Sequence, residues 1–415
     1  MAQRTQREGW LIVVHRYLGL GIGLWMCAVG ASGAILAYYR ELEAWLDPQL
    51  FRIAEAAPRH PDLDRMAATV RAAYSDRFIL YIDRHGLSLN ESYPFVLTEP
   101  LPMTARGPDL TGVGNYDAAA SLQVFVNPIS AEIVGARSYW TVINILRDFH
   151  RELFAPPVGR KILGALGALV FLSSVIGAVL WWRDARRNLK RGLTLRASSP
   201  MPRLVRDGHT VFGIYASIFI GWLGLSAAMI CYGGSLRDAA DWIIRGGKPA
   251  QVFEGAAMAP AVAAAPSDNL PIVSLNRARD VALTDHPNSD VVLIRMPKSA
   301  AARISFRLYP LDEPVTLNTR QVYVDATTGE IAGRFDPKRQ PWTDSLFGLW
   351  LIWFHNGTML GDAGRVFNIF AGIVLASLFP TGLYLWWKKR PSRKAHGLRS
   401  TPRSIDLPQK AQPAE

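Results

Sequence analysis

LGLGIGLWMCAVGASGAILAYY, residues Leu18 to Tyr39, runs for 22 residues without one Asp, Glu, Lys or Arg. A helix of that length, rising 1.5 Å per residue, covers roughly 30 Å, the thickness of a bilayer's hydrocarbon core. Ile162 to Trp182, Val211 to Tyr232 and Val366 to Trp387 run for 21, 22 and 22 residues and are equally free of charge. One such run can be a buried helix of a soluble domain. Four in a chain of 415 residues predict a polytopic membrane protein.

The charge is gathered outside these runs. The chain is net +12, with 46 Lys+Arg against 34 Asp+Glu, and 49% hydrophobic, which excludes disorder and a small disulfide scaffold. Arg183 to Gly208 holds eight cations and two acids, and Lys388 to Glu415 holds the same numbers, so these two segments contain the whole excess. By the positive-inside rule both are cytoplasmic. The N-terminus is then inside, and Arg40 to Lys161 and Gly233 to Arg365 lie outside. A basic patch can also bind nucleic acid, but one that abuts spans on a single side is explained by topology, and no nucleic-acid partner is expected. Arg4 and Arg7 ahead of the first run resemble a cleavable signal, yet the run is long for one and has an internal twin. Cys27 and Cys231 both fall within spans and read as small apolar residues.

The chain repeats itself. VFVNPISAEIVG at Val124 to Gly135 returns as VYVDATTGEIAG at Val322 to Gly333, an alternating strand, a turn and a second strand. Phe149-His150 returns as Phe354-His355, Gly177 as Gly382 and Trp181-Trp182 as Trp386-Trp387, all at an offset of 205; His15 matches His209, Gly19 matches Gly213 and Gly30 matches Gly224 at 194. Each half therefore reads as helix, outside domain, helix, with equivalent elements related by a pseudo-two-fold along the membrane normal. Each outside domain reads as one helix on a small antiparallel sheet. In the first, the helix is Leu63 to Tyr74 and the strands are Phe78 to Ile82, Tyr93 to Leu97, Leu122 to Val126 and Glu132 to Val134. In the second, the helix is Leu275 to Leu283 and the strands are Val291 to Ile294, Arg303 to Leu308, Gln321 to Val324 and Glu330 to Ala332. Ala256 to Asp268, rich in Ala and Pro, reads as a linker.

Four of the eight histidines occupy equivalent places in the repeat. His15 and His209 stand at the cytoplasmic ends of spans one and three, His150 and His355 on the outer approach to spans two and four. Pro156, Pro157 and Gly159 break the helix after His150, and Gly357 and Gly361 do the same after His355. Ionisable residues at membrane helices are costly and default to functional readings. The alternative is an interfacial cap. Zinc would need Cys or carboxylate partners that the neighbourhood of these histidines lacks, so a four-ligand site is hard to assemble. Two histidines on facing helices suit bis-imidazole haem b, because a porphyrin brings the other four nitrogens. Matching depth pairs His15 with His209 and His150 with His355, as axial ligands of one or two haems. Gly19, Gly21, Gly23, Gly30 and Gly33, with Gly213, Gly221 and Gly224, admit either a flat macrocycle or a neighbouring helix. Trp140, Phe149, Trp350, Trp353 and Phe354 suit a haem lining or an aromatic belt. Arg16 and Arg151, each next to a histidine, suit haem propionates or snorkelling. His60, His85, His286 and His396 read as surface residues. No nucleotide-binding glycine fingerprint and no Ser/His/Asp arrangement is present.

HRYLGL at His15 to Leu20 with Gly30 and Gly33, ELEAWLDPQL at Glu41 to Leu50, the VYVDATTGEIAG hairpin and the helix ends GAVLWWR and GLYLWWK resemble the PepSY-associated transmembrane helix family, from about Trp10 to Lys389. That resemblance implies an iron-regulated bacterial inner-membrane protein with periplasmic PepSY domains. It is similar to members that are haem-containing ferric-siderophore reductases. The His-Arg pattern of His15 and His150 becomes His209-Thr210 and His355-Asn356 in the second half.

The expected fold is membrane α-helical, with four transmembrane helices in two pseudo-symmetric halves, each with a periplasmic α+β PepSY-like domain. The first half is span 10–39, domain 40–140 and interfacial helix plus span 141–183. The cytoplasmic loop 184–208 leads to span 209–232, domain 233–344, interfacial helix plus span 345–388 and the cytoplasmic tail 389–415. The expected function is a haem-b-dependent reductase, passing electrons from a cytoplasmic or quinone donor to periplasmic ferric siderophores. Its rivals are a non-catalytic protein whose PepSY domains bind peptides or partners, and a transporter component. The spans hold no intramembrane acid to line a translocation path.

Overall fold

The computed structural model describes residues 2–84, 88–99, 121–155, 157–244, 246, 273–297, 303–312, 318–339 and 342–397. The expected linker Ala256 to Asp268, and His85 and Pro156, lie outside the described residues. The helices are α1 (Ala2–Leu36), α2 (Tyr39–Leu46), α3 (Leu63–Ala73), α4 (Val142–Glu152), α5 (Val158–Ala185), α6 (Met201–Cys231), α7 (Gly233–Ile244), α8 (Leu275–Leu283), α9 (Leu351–His355) and α10 (Gly361–Gly397), besides shorter turns. Among the described residues four stretches are long and apolar enough to cross a membrane: Gly9–Leu36, Val158–Ala185, Met201–Cys231 and Thr358–Lys388, of 28, 28, 31 and 31 residues. At roughly 42 to 47 Å these outrun the hydrocarbon core. The helices continue past their apolar runs because the backbone stays hydrogen-bonded wherever it leaves water.

The spanning helices pack as two close pairs, α1 with α10 and α5 with α6, and α6 also lies along α10. Glycine sets both approaches. A Cβ on Gly372 would stand 2.6 Å from the Gly30 carbonyl oxygen, and one on Gly224 would stand 2.6 Å from that of Gly167. Any side chain there would push the pair apart. Gly30 and Gly224 thus serve helix packing, one of the two roles open to them from sequence.

Outside the helices the strands are β1 (Phe78–Asp83), β2 (Tyr93–Thr98), β3 (Leu122–Val126), β4 (Ile133–Ser138), β5 (Ser289–Arg295), β6 (Arg303–Pro310), β7 (Arg320–Asp325) and β8 (Ile331–Phe335). The expectation of a separate small sheet in each half is corrected. All eight strands form one antiparallel sheet, ordered β4-β3-β2-β1-β5-β6-β7-β8. The seam is β1 against β5, with Tyr81 opposite Arg295 and Ile82 opposite Ile294. A four-stranded unit would leave β1 or β5 with a row of unpaired backbone groups, and pairing the two edges removes both rows.

One apolar core follows from one sheet. Leu63, Met66 and Val70 of α3 and Leu275, Ala278 and Ala282 of α8 cover Phe95, Val124, Ile294, Ile304 and Phe306. The two helices cap each other. Asp64 accepts from Leu275 N (2.7 Å), Asn276 N (3.2 Å) and Ser274 Oγ (2.5 Å), while Asn276 Oδ1 accepts from Leu63 N (2.9 Å). The other half thereby satisfies the N–H groups of Leu63, Leu275 and Asn276, while Asp62 and Ser274 cap Arg65 N and Arg277 N within their own halves.

The repeated hairpins share their local physics. Asn127 Oδ1 accepts from Ile129 N at 2.9 Å, and Asp325 Oδ1 accepts from Thr327 N at 2.8 Å. Ala131 (φ 61°) and Gly329 (φ 76°) then take the same left-handed position. Glycine adopts that conformation freely and alanine does not. Ala131→Gly is therefore expected to stabilise the outside domain by about 0.5–1 kcal/mol, measured as a raised midpoint in thermal or urea unfolding.

Candidate functional site

The four repeated histidines all lie between helices. His15 sits inside α1, two turns before its first expected apolar residues give way to Gly21 and Gly23, and faces α5: its Nδ1 lies 3.1 Å from the Ser173 carbonyl oxygen and 3.3 Å from Ser173 Oγ. His209 lies inside α6, eight residues beyond its start at Met201, and faces α10, with Nδ1 2.8 Å from Thr381 Oγ1. His150, in the last turn of α4, reaches α1, with Nδ1 3.0 Å from the Val29 carbonyl oxygen and 3.1 Å from Ser32 Oγ. His355, ending α9, reaches α6, with Nδ1 2.8 Å from Ser226 Oγ. The His150 and His355 rings face each other, centroids 6.3 Å apart and planes inclined by 49°.

The tautomers follow from the partners. A carbonyl only accepts, so His15 and His150 must donate Nδ1–H. Thr381 donates its hydroxyl hydrogen to the Ser377 carbonyl (2.9 Å), and Ser226 donates its own to that of Trp222 (2.8 Å), so their oxygens accept from His209 and His355. All four rings thus carry hydrogen on Nδ1. Among the described residues no hydrogen bond engages any of the four Nε2 atoms, which keep a free lone pair. This is how ligating histidines are commonly held, with the second nitrogen fixed by a neighbour.

Sequence reading did not find Ser32 and Ser226, yet they were detectable, since they stand 194 residues apart, the offset of His15 and His209. Glycines make room for the rings. A Cβ on Gly33 would lie 2.8 Å from His150 Cε1, one on Gly177 3.1 Å from His15 Cε1, and one on Gly382 3.5 Å from His209 Cε1. Gly19 and Gly21 meet nothing within 4 Å. The bend that aims His150 inward is built by Leu153 and Phe154 at positive φ (51° and 57°) and by Gly159, where a Cβ would run into the Glu152 carbonyl. After His355 the turn uses Gly357 (φ 81°) and Gly361 (φ 61°), and Gly364 packs on the Gly357 carbonyl.

The remaining expected residues are scattered. Arg16 is half-buried and Arg151 exposed, and neither makes an ion pair among the described residues. Trp140 is exposed, Phe149 packs among the helices, and Trp353 meets Tyr309 edge-on at 6.1 Å. Phe354 meets Trp222 at 5.9 Å. Trp350 closes a π-helical turn just before α9, and its Nε1 is buried without a hydrogen-bond partner among the described residues. His60 is exposed and His286 half-buried. Partial desolvation, then the charge of Arg279 or Arg320, holds these two imidazoles below their ordinary range.

Among the described residues no three His, Cys, Asp or Glu side chains cluster to hold a metal ion. The free Nε2 atoms, the glycine cradles and the orphaned indole N–H fit a flat cofactor that supplies its own equatorial ligands and needs only two imidazoles. Two metal–nitrogen bonds of about 2 Å each need Nε2 atoms about 4 Å apart, a spacing compatible with ring centroids at 6.3 Å.

The family description "PepSY-associated TM region" matches residues 12–389. The chain belongs to this family. No curated protein matches the chain. The family name and the four apolar helices make it a multi-pass membrane protein.

The two serines differ in a way that can be measured. Ser226→Ala leaves the His355 Nδ1–H buried without an acceptor and should cost about 1–3 kcal/mol. Ser32→Ala leaves His150 the Val29 carbonyl and should cost under about 1 kcal/mol. Thermal unfolding of the full-length chain in detergent compares them.

Proposed function

We propose that this chain is a haem-b-dependent inner-membrane reductase that passes electrons outward, from a cytoplasmic or quinone donor to ferric siderophores. The observation that carries the reading is that four half-buried imidazoles, two per level, all give Nδ1–H to a neighbouring helix and keep Nε2 free. His15 with His209, and His150 with His355, would each hold one haem. Bound there, haem b would supply one-electron transfer at a potential tuned by its axial imidazoles and apolar shell.

The chain's own residues prepare those places. The acceptors of Nδ1–H are carbonyls and hydroxyls, never carboxylates, so each imidazole is held neutral and oriented without a buried counter-charge. Gly33, Gly177 and Gly382 keep side chains off the rings. Arg16 and Arg151 remain candidates for propionate contacts. The duplicated pattern of histidines, serines and glycines supports two pseudo-symmetric halves. The two basic segments, with eight cations each, support cytoplasmic termini and a periplasmic sheet. Reduction of the chelated metal to Fe(II) would weaken its hold on hard oxygen donors and release it.

Purified full-length protein should show a Soret band and a reduced-minus-oxidised haem spectrum. His150→Ala and His355→Ala should lose the same part of that spectrum and spare the part lost by His15→Ala and His209→Ala. Colourless protein that tolerates all four substitutions would sink the reading in favour of a non-catalytic PepSY membrane protein.

A further inference from the structure

The sheet has a second face, turned away from α3 and α8. On β6 Ile304, Phe306 and Leu308 enter the core, so Arg307 and Tyr309 point the other way, as Tyr323 does on β7. The halves differ there. β2 is buried at all six positions, whereas β6 and β7 alternate buried and half-buried residues, so the second half's underside is the accessible one.

That underside adjoins the outer histidine pair. Tyr309 meets Trp353 edge-on, and Trp353 stands two residues before His355. Arg40, in the first turn of α2, lies near Tyr309 and Asp83 and donates from Nε to the Tyr39 hydroxyl at 2.9 Å. Arg147, one turn before His150, stands 4.8 Å over the Tyr39 ring. Its carboxylate partner Glu43, at 3.8 Å, already binds Arg137 at 2.9 Å. Arg307 lies near Tyr309 and Tyr323, and its Nε is buried without an acceptor among the described residues. Arg40 and Arg307 thus adjoin Tyr309, and Arg40 and Arg147 adjoin Tyr39, with Asp83 and a shared Glu43 as the nearby acids.

We propose that Arg40, Arg147 and Arg307, with the hydroxyl of Tyr309, form a platform that seats a negatively charged, oxygen-donor metal chelate beside His150 and His355. The proposal deepens the reductase reading and rests on it for the identity of the ligand as a chelate. Guanidinium forks and phenol O–H groups are donors matched to carboxylate and other oxyanion acceptors. A chelate of positive charge would meet three like charges in a half-buried setting, where screening is weak.

The test is calorimetric titration of the full-length protein in detergent with gallium(III) citrate, an anionic and redox-inert stand-in for a ferric chelate, and with gallium(III) desferrioxamine B, which is cationic. The citrate complex should bind saturably, more tightly than the cationic one, and more weakly as salt rises. Arg307→Gln and Arg40→Gln should each weaken it roughly tenfold, and Arg307→Lys should recover part of the loss. Equal affinity for both complexes, no saturable citrate binding, or unchanged affinity in both Gln variants overturns the platform. Because binding is read without reduction, colourless protein that still discriminates the probes removes the haem reading alone, and haem-containing protein without discrimination removes the platform alone.

Discussion

A buried imidazole must place its N–H, and between membrane helices there is no water to take it. Here each of four histidines borrows an acceptor from a neighbouring helix. His15 joins α1 to α5, His150 joins α4 to α1, His209 joins α6 to α10, and His355 joins α9 to α6. These bonds fix ring orientation and helix register together. They also decide the chemistry left over, because a ring that donates from Nδ1 keeps its Nε2 lone pair.

The glycine contacts act elsewhere in the bundle. Gly30 against Gly372 and Gly167 against Gly224 hold α1 close to α10 and α5 close to α6, whereas His15 and His209 tie helices of different pairs together. Above the bundle the halves are joined more firmly than a simple duplication requires. The β1–β5 seam carries backbone hydrogen bonds across the middle of the sheet, and the α3 and α8 caps exchange acceptors over it. The outside region is therefore one body, and its underside next to the helix mouths belongs to both halves.

The two undersides nevertheless differ. In the first half Phe51 and Phe125 stack edge to face, with Arg137 over both rings and ion-paired to Glu43, and β2 has no accessible face. In the second half Arg307 and Tyr309 stay half-exposed. A repeated framework that keeps equivalent histidines but unequal surfaces confines any difference in binding to one side of the outer pair.

The spans, both hairpins, the two short helices and nearly every strand were legible from periodicity and the 194 and 205 offsets, because these depend on residues near one another in the chain. The four histidines were legible for a related reason, since duplication marked them twice. Ser173 and Thr381 were not, as a serine or threonine within an apolar run looks the same whether it bonds its own helix or a histidine more than a hundred residues away, whereas the 194 offset does mark Ser32 and Ser226. The sequence by itself determined the four apolar runs, the repeated motifs and the places of the four histidines within them. Only the tertiary structure decided which nitrogen of each ring is held, that His150 and His355 face each other, and that two expected sheets are one. Those outcomes depend on distances between helices and on the pairing of strand edges, which no local pattern encodes.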